Sequence, residues 1–164
     1  AELSAFLNKE VVGSEKIINK TKILIDRDCI LLTENLDIIP VYREVKAGEI
    51  IENNDFLFHW NYDKRPKIFL KDPSFEYVDA EHFNNKLIIR NLDNDDTFSP
   101  LGLSGTKKVN QYLTDQKVSS IDKDKTLAVC NEKDIVWLAG KQISNNYKLT
   151  KKSKLIAKLN FLRK

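Results

Sequence analysis

In Gly102-Leu103-Ser104-Gly105-Thr106-Lys107-Lys108, a glycine-spaced loop delivers two adjacent cations to the start of a segment with helical periodicity. A helix N-terminus exposes unpaired N–H groups and the positive end of the dipole, so local physics favours Asp or Glu there over lysine. An anion belonging to another molecule would complete such a site. A backbone phosphate is one that amide donors and lysines hold readily. The stretch does not fit a nucleotide-hydrolysing P-loop, which needs lysine directly after the second glycine and then Ser or Thr for magnesium. Here Thr106 intervenes, and Lys108 stands where the hydroxyl should be.

Other reactive side chains are poorly placed for catalysis. His59 lies inside an apolar strand-like run and His82 in a connecting segment, neither with a Cys or His partner at ligand spacing. A zinc site or a Ser/His/Asp arrangement is therefore not signalled, and structural or solvated histidines are expected. Asp93, Asp95 and Asp96 lack the spacing and final Glu of an EF-hand and read as a turn with capping aspartates. Cys29 and Cys130 both sit in apolar runs. Buried free thiols are the expectation for a reducing compartment, with a disulfide as the minor alternative.

The chain of 164 residues is 41% apolar and 31% charged, within ordinary globular usage. No apolar run approaches the roughly 20 residues of a membrane helix. The start, AELSAFLNKE, lacks the basic region and apolar core of a secretory signal, so a cytoplasmic protein is expected. Methionine is absent even at position 1, as in a piece of something longer. The net charge of +3 is unevenly spread. Residues 1–80 hold 11 basic and 15 acidic residues, net −4, whereas residues 81–164 hold 16 and 9, net +7. Eight cations and no acid lie between Lys141 and Lys164, the footprint of a surface that meets phosphate or, in the plainer reading, of a solvated basic tail.

The elements that must position these groups are mainly β, because most periodic segments are short and β-branched or aromatic. Lys22–Ile25 and Cys29–Thr33 flank the polar turn Asp26-Arg27-Asp28, one expected hairpin. Leu127–Cys130 and Ile135–Ala139 flank Asn131–Asp134, a second. In the latter, Ile135, Trp137 and Ala139 on one face and Val136 and Leu138 on the other predict a strand covered on both sides, with Trp137 in the core. Phe56–Trp60, Phe75–Asp79 and Lys86–Arg90 are further strands. Residues 154–161 alternate Leu155, Ala157, Leu159 and Phe161 inward with Lys154, Ile156, Lys158 and Asn160. The one principal helix is expected from Thr106 to about Lys117, with Val109, Tyr112 and Leu113 facing inward. A softer, proline-containing stretch, Asn61–Ser74, is where two lobes could divide or a loop could run within one domain.

One segment resembles a known family. Arg90, Asp96, Phe98, Pro100, Gly102, Gly105, Lys107 and Lys108, then Asp134-Ile135-Val136-Trp137-Leu138-Ala139-Gly140 and Tyr147-Lys148-Leu149-Thr150, occur in the order found in the C-terminal domain of bacterial tRNA(Ile)-lysidine synthetase. The resemblance spans about 75 residues within segment 86–150, and Thr21–Asp28 resembles an upstream stretch more loosely. Leu92 replaces the family's tryptophan, Asn94-Asp95 interrupts its Gly-Asp, and Leu103 replaces its methionine.

The resemblance implies that residues 1–164 are a single C-terminal tRNA-binding region, a mainly β (α+β), β-sandwich-like domain with one principal helix, similar to a fold also found in the phenylalanyl-tRNA synthetase β subunit. It implies a parent ligase that uses ATP, magnesium and free lysine to convert the wobble cytidine of tRNA(Ile) to lysidine. That chemistry belongs to an N-terminal catalytic domain with a Ser-Gly-Gly-x-Asp-Ser loop. Gly13, Gly48, Gly102, Gly105 and Gly140 include no adjacent pair, so this chain lacks the loop and is expected to be non-catalytic and cofactor-free. Its implied task is to hold the acceptor-stem side of the tRNA. The candidate contacts are Arg90, Lys107, Lys108, Lys117, Lys148, Lys151, Lys152 and Lys154, since shape reading of a stem needs cations on a rigid frame. The alternatives are that Arg90 pairs with Asp96 and the lysines are merely solvated. The rival from another class is a protein-interaction or self-association module, such as a homodimer, docking the acidic half on the basic half.

Overall fold

The computed structural model describes residues 2–8, 11–34 and 40–164. Near its start, helix α1 (Glu2–Leu7) lies against an antiparallel sheet of β1 (Glu15–Ile18), β2 (Thr21–Ile25) and β3 (Ile30–Glu34). Ile23 and Ile25 close on Phe6 in a small separate core. The expected β2–β3 hairpin is present, its turn closed by the Asp26 amide donating to the Cys29 carbonyl at 2.9 Å.

The main body is two antiparallel sheets face to face. One has the order β13-β12-β11-β8-β4, built from β4 (Tyr42–Lys46), β8 (Lys86–Asn91), β11 (Leu127–Asn131), β12 (Asp134–Leu138) and β13 (Gln142–Ile143). The other has the order β5-β6-β14-β7, from β5 (Ile50–Glu52), β6 (Phe56–Asp63), β7 (Phe75–Asp79) and β14 (Ile156–Arg163). Val45, Phe58, Trp60, Leu87, Ile89, Val129, Trp137 and Leu159 are fully buried between them. Alternation puts these apolar side chains on facing surfaces and burial of that area drives the packing. Trp60 Nε1 donates across the sandwich to the Val45 carbonyl at 2.9 Å.

The outer face of the five-stranded sheet is covered too. Phe98, Val109, Tyr112 and Leu113 pack on Ala128, Cys130, Ile135 and Leu138. The first of these comes from β9 (Thr97–Phe98), the others from helix α2 (Val109–Asp115). A short helix α3 (Ser120–Asp124) follows. The mainly β sandwich with one principal helix is thus the fold observed.

Several boundaries differ from the sequence reading. Lys107 and Lys108 are not the first turn of the helix; they form a two-residue strand, β10 (Lys107–Lys108), paired with β9. The Lys108 backbone caps α2, and the Val109 amide donates to the Asp96 carbonyl at 2.9 Å, so a donor expected to face solvent is already satisfied. The helix also stops early, with Lys117 at a left-handed φ of 57° and the Val118 amide bonded back to the Leu113 carbonyl at 3.0 Å.

In β12 the register skips Val136 between Trp137 opposite Val129 and Ile135 opposite Cys130. This bulge breaks the expected alternation: Ile135 and Leu138 join the helix-side core, while Val136, Trp137 and Ala139 face the other sheet. The strand is covered on both sides, as expected. In the last strand Leu155 lies outside the element and is exposed, so inward alternation begins at Ala157. Helix α3 carries a signature the sequence reading passed over: Ser119 Oγ accepts from the Asp122 amide and donates to the Asp122 carboxylate.

Both cysteines are free, but Cys29 is exposed, because it falls in the β2–β3 turn region and not within a strand. Burial pushes the Cys130 thiol up to about 11, against an opposing pull from Arg90. Since the thiolate is the nucleophile, a maleimide or iodoacetamide titration at mildly alkaline pH should label one thiol in the native chain and two after unfolding. Two fast native equivalents would show that Cys130 is not sealed.

Candidate nucleic-acid interface

The cations singled out from the sequence fall into two groups. Arg90, Lys107, Lys108 and Lys117 surround the helix layer on the outer face of the five-stranded sheet. Here the pairing is internal. Arg90 Nη1 and Nη2 donate to the two carboxylate oxygens of Asp96 at 2.8 and 2.7 Å, a bidentate fork, and Nη1 also reaches the Asn91 carbonyl at 2.8 Å. Its side chain is only 15% exposed. The Asp96 hydrogen bond above all, against the opposing effect of burial, raises the Arg90 pKa further above its already high value.

Asp93 and Asp96 close the expected turn, the Asp93 amide donating to Asp96 Oδ2 at 2.7 Å and the Asp96 amide to the Asp93 carbonyl at 3.1 Å. Lys107 is ion-paired with Asp115, whose carboxyl is held low by that contact and by Gln111. Lys108 projects into solvent with Asp95 at 3.8 Å, and both side chains are well exposed. Lys117 is exposed, and its carbonyl accepts from Arg27 Nη1 at 3.1 Å. Of this group, Lys108 and Lys117 are therefore the two with charge available to a ligand.

Lys148, Lys151, Lys152 and Lys154 form the second group, at the end of the sandwich where β6 and β7 finish and β14 begins. All four are exposed. Lys148 Nζ meets only the Asn145 side-chain carbonyl, at 3.0 Å, and among the described residues Lys151, Lys152 and Lys154 have no ion pair. The turn that carries them is rigidly built. The Thr150 amide donates to Ser153 Oγ at 3.0 Å, Ser153 Oγ donates to the Asp79 carboxylate, and the Lys154 amide donates to Glu81 Oε1 at 2.9 Å.

Sequence reasoning missed Arg65 as part of this surface. Its Nη2 donates to the carbonyls of Thr150 and Ser153 at 2.6 and 3.3 Å, tying the start of the β6–β7 connection to the lysine turn. The signal was the short basic run Lys64-Arg65-Pro66-Lys67, but its contact spans more than eighty residues and no local pattern shows it. The cations of this second group thus stand on a fixed frame in which the nearby Asp79 and Glu81 carboxylates bind the turn's Ser153 hydroxyl and Lys154 amide and leave the lysine ammonium groups without ion pairs among the described residues, an arrangement suited to phosphates more than to bases.

No family model matches the chain. Among curated proteins, it is 32% identical over 92 residues to a tRNA(Ile)-lysidine synthase of Parabacteroides distasonis, covering 56% of this chain and 21% of that protein. A tRNA(Ile)-lysidine synthase of Bacteroides thetaiotaomicron is 33% identical over 78 residues, covering 48% and 18%. One of Clostridium perfringens is 27% identical over 122 residues, covering 71% and 25%. The chain thus spans about a fifth to a quarter of the length of these relatives. Among solved structures, a crystal structure of the TILS C-terminal domain superposes with a TM-score of 0.62 at 15% identity, covering 74% of this chain and 97% of that one. Sequence and fold converge, and the chain is a homologue of the C-terminal part of the tRNA(Ile)-lysidine synthases.

Proposed function

We propose that this chain is the tRNA-holding C-terminal part of a cytoplasmic tRNA(Ile)-lysidine synthase. It positions tRNA(Ile), from the acceptor-stem side, for a separate N-terminal domain that carries out the ATP-dependent conversion of the wobble cytidine to lysidine. The matched stretch shared with the synthases is the observation that carries this reading. ATP, magnesium and lysine belong to the catalytic domain, and this chain supplies grip. Lys151, Lys152 and Lys154 take phosphates as point charges on a braced turn, with Lys148, Lys108 and Lys117 as further contacts. Arg90 and Lys107 serve from behind, the first by fixing the Asp93–Asp96 turn and the second by bracing α2 through Asp115.

The test is a salt titration of tRNA(Ile) binding by the full chain. The K151A/K152A/K154A variant should weaken binding and lower the slope of log affinity against log salt by roughly 2 to 3, at 0.7 to 0.9 per lost phosphate contact. K107A should change the slope by less, because Asp115 already neutralises that lysine. Unchanged affinity and slope in the triple variant would remove this turn from the interface. A salt-sensitive homodimer with no RNA affinity would favour the self-association module instead.

A further inference from the structure

β6 and β7 flank β14 and both run antiparallel to it, so they are parallel to each other and residues 64–74 must carry the chain back across β14. The inner face of that sheet is packed against its partner sheet. The crossing therefore uses the outer face, where Lys158 stands 4.5 Å from the centre of the Phe75 ring. Asp72, near the end of the connection, is held below the usual carboxylate range by hydrogen bonds from Ser74 and, further, by the charge of Lys158.

Midway along this crossing, Ile68, Phe69 and Leu70 are 74%, 64% and 70% exposed, three consecutive large apolar side chains turned to solvent. Isolated exposed apolar residues need no explanation, but a contiguous group does. The sequence around them, Lys64-Arg65-Pro66-Lys67-Ile68-Phe69-Leu70-Lys71, holds four cations and no acid. Arg65 pins the base of the loop to the Thr150 and Ser153 carbonyls, in the turn that carries Lys151 and Lys152.

We infer that the 64–71 loop is a second RNA contact, in which Phe69 stacks on an unpaired nucleotide next to the stem while Lys67 and Lys71 hold the phosphates on either side. A single-stranded nucleotide has the matching chemistry, a flat apolar face bordered by negative charge. This rests on the tRNA-holding reading above and goes beyond it, from backbone grip on a helix to recognition of an unpaired base. The preference for RNA rests on the link, through Arg65, to the turn already proposed to hold tRNA; an anionic lipid surface, which the same charge would suit, is an outcome of the experiment.

The experiment compares binding of the full chain to an RNA hairpin with a short unpaired 3′ extension and to the same hairpin blunt-ended. The wild type should prefer the extended hairpin by about tenfold, the range of one base–aromatic stack. F69A should lose that preference while leaving blunt-hairpin affinity unchanged, and F69Y should keep it. K151A/K152A should weaken both RNAs alike. Because Phe69 is exposed, F69A should unfold at the wild-type urea midpoint, so folding does not confound the comparison. If both hairpins and tRNA(Ile) bind but F69A behaves as wild type, this inference fails and the tRNA-holding reading stands. If the wild type binds none of the RNAs, both fail. Phe69-dependent binding to phosphatidylserine vesicles, or a Phe69-dependent dimer, without an effect on RNA would assign the loop to a membrane or a second copy and overturn the proposal.

Discussion

Replacing Asp96 by alanine should destabilise the fold by about 2 to 3 kcal/mol, the cost of leaving a half-buried guanidinium without its bidentate carboxylate. The Arg90 and Asp96 side chains are only 15% and 11% exposed. In the variant, Arg90 retains the Asn91 carbonyl and the mostly exposed Asp93 carboxylate at 3.5 Å, too little to replace a bidentate counter-ion. Asp96 also accepts from the Asp93 amide, so the turn that leads into β9 loosens with it. The R90A/D96A double variant should be less destabilised than the two single changes added together, since it leaves no orphaned charge. Urea unfolding of the four proteins of the cycle measures this, and strict additivity would mean the pair is not coupled.

The pH dependence has a defined sign. Burial alone would raise the Asp96 pKa, but the hydrogen bonds from Arg90 and the Asp93 amide, with the Arg90 charge, outweigh it and hold the carboxyl below its ordinary value. A depressed native pKa contributes stability that is complete above the unfolded value of about 3.9 and fades as pH falls through the native one. Wild type should therefore lose stability below about pH 4 more steeply than D96N, which has already lost this contribution.

Trp60→Ala should cost about 3 to 5 kcal/mol, the range for emptying an indole-sized site in a closed core. The ring is fully buried between the sheets, edge-on to Phe83 at 5.6 Å, and it holds the Val45 carbonyl. Trp137 is equally buried, yet its Nε1 is the one buried side-chain polar atom among the described residues without a hydrogen-bond partner. The two tryptophans therefore respond differently to phenylalanine. Trp60→Phe removes one of the donors to the Val45 carbonyl, which keeps its place in the β4–β8 ladder, and so adds up to about 1 kcal/mol to the volume lost, whereas Trp137→Phe removes an unsatisfied donor. Thermal unfolding should rank Trp60→Phe as clearly the more damaging, and equal losses would show that the Trp60 hydrogen bond contributes nothing.

Much of this architecture was legible because its signals are local. The Leu127–Asn131 and Asp134–Leu138 hairpin announced itself by apolar runs around a polar turn, and Val109, Tyr112 and Leu113 by helical spacing. What escaped depends on partners distant in sequence. β4 shows one buried residue, Val45, in an otherwise exposed edge strand, so alternation gives no signal there. Thr106–Lys108 continued the helical pattern on paper, but Thr97 and Phe98 offered a strand partner that no periodicity records. The bulge at Val136 is likewise a property of pairing and not of the strand's own sequence. For the site, the basic run after Lys141 was visible as composition, and the Arg90–Asp96 pair as one of two readings. Which lysines stand free, and that Arg65 joins them, required the chain to be folded.

The position of β14 has a consequence for synthesis on the ribosome. This strand is the sole bridge between β6 and β7, pairing along its whole length with one and through five residues with the other. Until translation passes Arg163 and the segment leaves the exit tunnel, β6 and β7 face an empty lane with backbone donors and acceptors open on both sides. Nascent chains stalled anywhere from Asp79 to Leu155 therefore carry a pair of sticky edges, the state in which strand-rich proteins recruit chaperones or one another.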